Sequence, residues 1–142
     1  RAIGISNFLI DDLESLLPSC DIKPMVNQVL AHIGNTPIEL IRFCQKQGIA
    51  MEAYSPIAHG EALKNSSIVS MAKKYGVSVP QLCVKYILQL GLAALPKAST
   101  LEHMRDNASL DFEISAEDLH ALEMLDFKEY GEHSHFPVFS GK

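Results

Sequence analysis

MEAYSPIAHGEAL, residues Met51 to Leu63, carries a strand into a loop. The alternation from Ile49 to Tyr54 predicts a short buried strand. Ser55-Pro56 stops it, because proline has no backbone N–H and biases its predecessor away from helix. A tyrosine is left at the strand's carboxyl end, the edge at which parallel α/β sheets bind ligands. There its ring either stacks on a planar ligand or fills the mouth of an apolar core.

Upstream, Thr36-Pro37-Ile38-Glu39 reads as a helix start, with Thr36 as the capping hydroxyl and proline at the first helical position. Ile38, Leu40, Ile41 and Cys44 form its buried face, and Gly48 ends it. Before it comes a short strand, Met25 to Val29, ending in the amides Asn27 and Gln28. Further back, Leu9 to Leu17 predicts a helix with Asp11 and Asp12 at its positive end, stopped by Pro18. The opening IGISNF, Ile3 to Phe8, predicts a strand that ends in Ser6 and Asn7.

Downstream, Pro56 to Lys64 is expected to be a loop. Ile68, Met71, Ala72 and Tyr75 then mark a helix closed by Gly76, and Ser78 with Gln81 starts another that runs to about Leu90. This second helix is apolar around most of its girth, so it should be covered on more than one side. Leu92 to Leu95 is a fourth strand, followed by Pro96-Lys97-Ala98-Ser99-Thr100 and a short helix capped by Thr100. A last helix opens at Ser115, buries Leu119, Leu122 and Leu125, and leads into an aromatic tail. Strand and helix alternate four times, which predicts an α/β fold of parallel strands joined by right-handed crossovers.

With 142 residues, 47% hydrophobic and 20% charged, the chain reads as one globular domain. No apolar run approaches the ~20 residues of a membrane span, and no signal-peptide pattern opens the chain. Cys20, Cys44 and Cys83 are far apart, which points to reduced thiols in a cytoplasmic setting. A formal net charge of −5 speaks against a nucleic-acid partner. Arg1 in place of a methionine suggests a chain that begins inside a longer protein.

The ordered set ISNF, VNQ, AYSP and LPKAST at four strand ends resembles the second half of the aldo-keto reductase family, and the resemblance covers essentially the whole chain. It implies strands five to eight of an eight-stranded (β/α) barrel of the TIM type, whose complete form needs about 250 residues. Residues 1–142 would then be the C-terminal half of the barrel, with 128–142 as its tail. The implied activity is reduction of aldehydes or ketones by hydride transfer from NADPH or NADH.

Under this resemblance Ser6, Asn7 and Gln28 hydrogen-bond the cofactor's carboxamide, and Tyr54 stacks on the nicotinamide ring. Ser55 and the loop to Gly60 lie over the pyrophosphate. Lys97, Ala98, Ser99, Thr100, His103 and Asn107 hold the adenosine end with its 2′-phosphate. Ala98 replaces the family's usual serine and His103 its usual arginine, so grip on that phosphate should be weaker. Leu30 stands where the family usually has glutamate. The family's catalytic aspartate, tyrosine, lysine and histidine belong to the first four strands, so no residue here is assigned as catalytic. The alternative is a non-catalytic nicotinamide-binding or regulatory barrel-like protein.

Other groupings carry less chemistry. His133-Ser134-His135 could place two imidazoles on one side of an extended segment, yet no cysteine or carboxylate beside them completes a metal set. No GxSxG turn positions a serine for hydrolysis. Tyr130, Phe136 and Phe139 either wall a substrate pocket or pack on the barrel. Half a barrel leaves two edge strands, Ile3 to Ser6 and Leu92 to Leu95, which should pair with the missing N-terminal half or with a second copy.

Overall fold

The computed structural model describes residues 1–131. Four strands, β1 (Gly4–Ser6), β2 (Val26–Leu30), β3 (Ala50–Tyr54) and β4 (Ala93–Leu95), form one sheet in the order β1-β2-β3-β4. Every neighbouring pair is parallel. Among the described residues six α-helices accompany them: α1 (Ile10–Leu16), α2 (Ile38–Gln47), α3 (Ser66–Tyr75), α4 (Val79–Gln89), α5 (Leu101–Ala108) and α6 (Ala116–Glu123). The sequential strand order follows from crossovers of one hand, each laying its strand beside the last.

The pleat sorts the strand residues. Asn27, Val29, Met51 and Ala53 are buried and belong to the helix-covered side, with Leu40, Ile41, Cys44, Leu82 and Ile87 in the core. Their alternates, Gln28, Leu30, Glu52 and Tyr54, are only half-buried on the opposite face. Ile3, Met25 and Leu95 near the strands are 43%, 58% and 41% exposed. Helix α4 contacts α3, α5, β4 and the turn after β3. Leu82, Cys83, Val84, Tyr86 and Ile87 are all buried on it, in keeping with its apolar girth.

Local chemistry accounts for most helix ends. Asn65 caps α3 through its side-chain oxygen, Ser78 and Gln81 form a reciprocal capping box on α4, and Ser115 caps α6. Gly48 and Gly76 close α2 and α3 at φ 67°, a left-handed conformation that glycine adopts without penalty.

Several expectations are corrected. Thr36 does not cap α2: Pro37 is the N-cap residue, and the Thr36 hydroxyl instead meets the Tyr86 hydroxyl at 2.7 Å and donates to the His32 carbonyl at 3.1 Å. Asn27 and Gln28 do not end their strand, because pairing of Val29 with Ala53 and Leu30 with Tyr54 carries the ladder two residues further. The segment after β3 is not wholly irregular: Ala58–Lys64 forms tight helical turns broken at His59 and Gly60. Helix α1, by contrast, lies between the caps Leu9 and Leu17 as expected, with Pro18 just beyond it in a separate short turn, Leu17–Ser19.

Candidate functional site

At the carboxyl ends of the strands, two lateral rows of side chains share the half-buried face. The register aligns Ser6, Gln28, Glu52 and Ala93 in one row, and Leu30, Tyr54 and Leu95 in the next. The strand ends are fastened together by polar contacts. The Gln28 carbonyl accepts from Ser6 Oγ at 3.0 Å and from the Asn7 backbone N–H at 2.9 Å. Buried Asn27, on the other face, holds the exit of β1 by donating to the Phe8 carbonyl at 2.9 Å.

Asn7 leaves β1 in the left-handed region at φ 57°. Its Oδ1 accepts from the Tyr54 phenol at 2.9 Å. Burial raises the Tyr54 phenol above its ordinary value, so at neutral pH it remains a donor. Gln28 Nε2 donates to Glu52 Oε2 at 2.8 Å.

From Tyr54 a cleft of about 590 Å³ runs across the carboxyl end of β4 to α5, lined among others by Ser55, Pro96, Lys97, His103 and Asn107. Ser55 Oγ and His59 Nε2 are 3.1 Å apart. Ser55, Ala58 and His59 have φ of 53°, 50° and 53°, left-handed values for residues that carry a Cβ. Strain of this kind costs on the order of 1–3 kcal/mol per residue and concentrates in ligand-holding loops. Asp106 accepts from Ser78 Oγ at 2.6 Å, tying α5 to the start of α4.

Of the residues singled out from the sequence, Tyr54, Ser55, Lys97, His103 and Asn107 thus border one cleft. Asn7 joins it through the Tyr54 phenol. Ser6 and Gln28 lie one row deeper in the sheet. Ala98 and Ser99 lie in the connection to α5 outside the cleft lining, and Thr100 caps that helix, its Oγ1 accepting from His103 N at 3.1 Å.

Sequence reasoning missed Glu52 and Asp106, and took His59 only as part of the loop from Ser55 to Gly60. For Glu52 the signal was available, since alternation puts it on the same face as Tyr54. It also missed a buried latch beside Tyr54. His32 Nδ1 donates to the Ile33 carbonyl at 2.6 Å, which leaves Nε2 to accept from the Tyr130 hydroxyl at 2.9 Å. Asn35 Nδ2 donates to the same hydroxyl at 3.1 Å. Burial holds His32 neutral, its pKa lowered to about 4. Tyr130 is itself buried and packs with Ala58, Leu30, Tyr54 and Phe127.

Among the described residues no group of three or more His, Cys, Asp or Glu is placed to hold a metal ion. The expectations for His133 and His135, and for Phe136 and Phe139, fall outside the described residues. No described helix is long and apolar enough to cross a membrane.

The model of the aldo/keto reductase family matches residues 1–126. The chain belongs to the aldo/keto reductase family. It is 42% identical over 126 residues to the uncharacterized oxidoreductase YtbE of Bacillus subtilis, covering 88% of this chain and 45% of that one. To the glyoxal reductase of the same organism it is 42% identical over 130 residues, covering 91% of this chain and 47% of the relative. The chain therefore spans about half the length of these relatives. Among solved structures, the aldo-keto reductase AKR2E5 of the silkworm, Bombyx mori, superposes with a TM-score of 0.83 at 31% identity, covering 97% of this chain and 44% of that one. The complex of AKR2E5 with NADPH superposes with a TM-score of 0.84. The parallel α/β arrangement is thus that of aldo-keto reductase structures.

The residues present fit a nicotinamide dinucleotide. A half-buried tyrosine ring bordering the cleft, an adjoining pair of amides, and a cleft reaching a lysine some forty residues on match a planar ring at one end and an anionic group at the other.

Proposed function

We propose that this chain is the cofactor-holding, C-terminal half of an aldo-keto reductase barrel that reduces aldehydes or ketones with NADPH or NADH. The observation that carries the reading is the Tyr54–Asn7 hydrogen bond at the head of the cleft that ends at Lys97 and His103. It joins a ring-stacking surface to an amide at one end and a cation at the other. The relatives' coverage supports the half-barrel, and so do the two edge strands, β1 and β4. The half-buried sheet face with Gln28, Glu52 and Tyr54 would line the barrel interior once four further strands close it. Residues 1–142 form one domain in this reading, and 128–142 its tail.

A nicotinamide cofactor, when bound, supplies the hydride. The chain's own part is orientation. Tyr54 sets the plane of the ring, while Ser6, Asn7 and Gln28 set its rotation, so that one face is presented to a carbonyl substrate. Ser55 holds the pyrophosphate, and Lys97, Ala98, Ser99, Thr100, His103 and Asn107 hold the adenosine end. The proton donor to the carbonyl would come from the partner half, because no residue of this chain is assigned that role.

The test pairs this chain with the first half of the Bacillus subtilis glyoxal reductase in one polypeptide. NADPH binding together with NADPH-dependent aldehyde reduction is expected. Binding without reduction by any aldehyde or ketone would favour a non-catalytic nicotinamide-binding protein, and absence of both would overturn the reading.

A further inference from the structure

Glu52 sits in the same lateral row as Gln28, two residues before Tyr54, and its Oε2 accepts from Gln28 Nε2 at 2.8 Å. An ionised carboxylate has acceptors and no donors, so only the NH2 end of the Gln28 amide can face it. The carbonyl oxygen, Oε1, is thereby turned toward the other side. The neighbouring amide is fixed in the opposite sense. Tyr54 donates to Asn7 Oδ1, and the NH2 of Asn7 is left to point elsewhere. One strand end thus offers an N–H donor and the next a carbonyl acceptor. A primary carboxamide carries one acceptor and one NH2 group, the complement of that pair.

We propose that Glu52 is a positioning residue that locks the Gln28 amide with its oxygen toward the ligand, and so makes the site discriminate a primary carboxamide from a ketone of the same shape. The inference rests on the cofactor reading above and goes beyond it, since it assigns the discrimination to a side chain that does not touch the ring. Without Glu52 the two amide orientations of Gln28 become close in energy, and an N–H of the ligand loses its assured acceptor.

The probes are NADP+ and its 3-acetylpyridine analogue, in which a methyl ketone replaces the carboxamide, keeping the acceptor and removing both N–H donors. Dissociation constants are measured by calorimetry on the full chain in its assembled barrel, as wild type, Glu52→Leu and Glu52→Gln. Wild type is expected to prefer NADP+ by roughly five- to tenfold, the worth of one hydrogen bond. Glu52→Leu should lower that preference about twofold, because the acceptor orientation of Gln28 is then only about half-populated. Glu52→Gln, whose amide oxygen can still accept from Gln28, should retain most of it.

An equal loss of affinity for both probes in Glu52→Leu, or an unchanged preference, would overturn the proposal while leaving the cofactor reading intact. Binding of neither probe by wild type would sink that reading and the proposal with it. Should Glu52→Leu not fold, the unaltered chain still decides: one Gln28 Nε2 proton should exchange with solvent more slowly than the other, and equal exchange of the two would contradict the lock.

Discussion

The Tyr54 phenol donates to Asn7 Oδ1 at 2.9 Å, tying the carboxyl end of β3 to that of β1 across the intervening β2. The same side chain therefore offers a stacking face and fixes a neighbouring amide. Tyr54→Phe keeps the face and frees Asn7, and should weaken NADPH binding by about 1 kcal/mol. Tyr54→Ala removes both and should cost at least a further ~0.5–1.5 kcal/mol. NADPH fluorescence titration checks the order; equal binding by all three proteins would remove Tyr54 from the site.

His103 borders the cleft beside Lys97, on α5 just after its cap. A neutral imidazole offers one N–H donor, whereas guanidinium is always charged and grips phosphate as a fork. His103→Arg should tighten NADPH by ~1.5–3 kcal/mol and hardly affect NADH. Equal tightening of the two, measured by calorimetry, would show that position 103 does not face the 2′-phosphate.

The latch of His32, Asn35 and Tyr130 makes stability depend on pH. Burial lowers His32 to about 4 from its ordinary 6.5, against the opposing effect of its bond to the Ile33 carbonyl. The unfolded chain therefore binds more protons between these two values. The stabilisation is full above about pH 6.5 and is lost as pH falls toward 4, by up to roughly 3 kcal/mol at ~1.4 kcal/mol per unit. Urea midpoints across this range should drop for wild type, and less steeply for His32→Gln. Tyr130→Phe should lower stability by about 1–3 kcal/mol at neutral pH, because it takes from fully buried His32 Nε2 its donor.

Gly34 lies at φ +93°, and a Cβ there would stand 2.2 Å from the Phe127 ring, whose backbone N–H donates to the Gly34 carbonyl at 2.9 Å. Gly34→Ala must displace that ring or the turn. It should destabilise by about 1–3 kcal/mol, read from thermal or urea unfolding. A neutral substitution would mean that the chain after α6 is not anchored at Gly34.

Much of the fold was legible because local rules agree with it. Ser78, Gln81, Ser115, Gly48 and Gly76 act where their side chains or backbone freedom predict. Thr36 misled because its hydroxyl has a tertiary partner, Tyr86, fifty residues away, and local capping chemistry cannot anticipate such a partner. The strand ends carrying Asn7 and Tyr54 were readable from sequence, but their hydrogen bond depends on parallel register across β2. The His32–Tyr130 contact spans 98 residues and leaves no periodic trace, so only the folded chain reveals it. Glu52 was passed over because a lone carboxylate in a strand suggests a solvated face until its register partner is known to be Gln28.

The most direct test of the cofactor-half account is an NMR titration of NADPH into the chain assembled with its complementary half, following the side-chain amides of Asn7, Gln28 and Asn107 and the backbone of 97–107. The account predicts that all of them shift together and saturate with a single dissociation constant, the Asn7 and Gln28 signals reporting the ring and the others the adenosine end. Shifts confined to one end, or none at Asn7 and Gln28 at saturating NADPH, would contradict it.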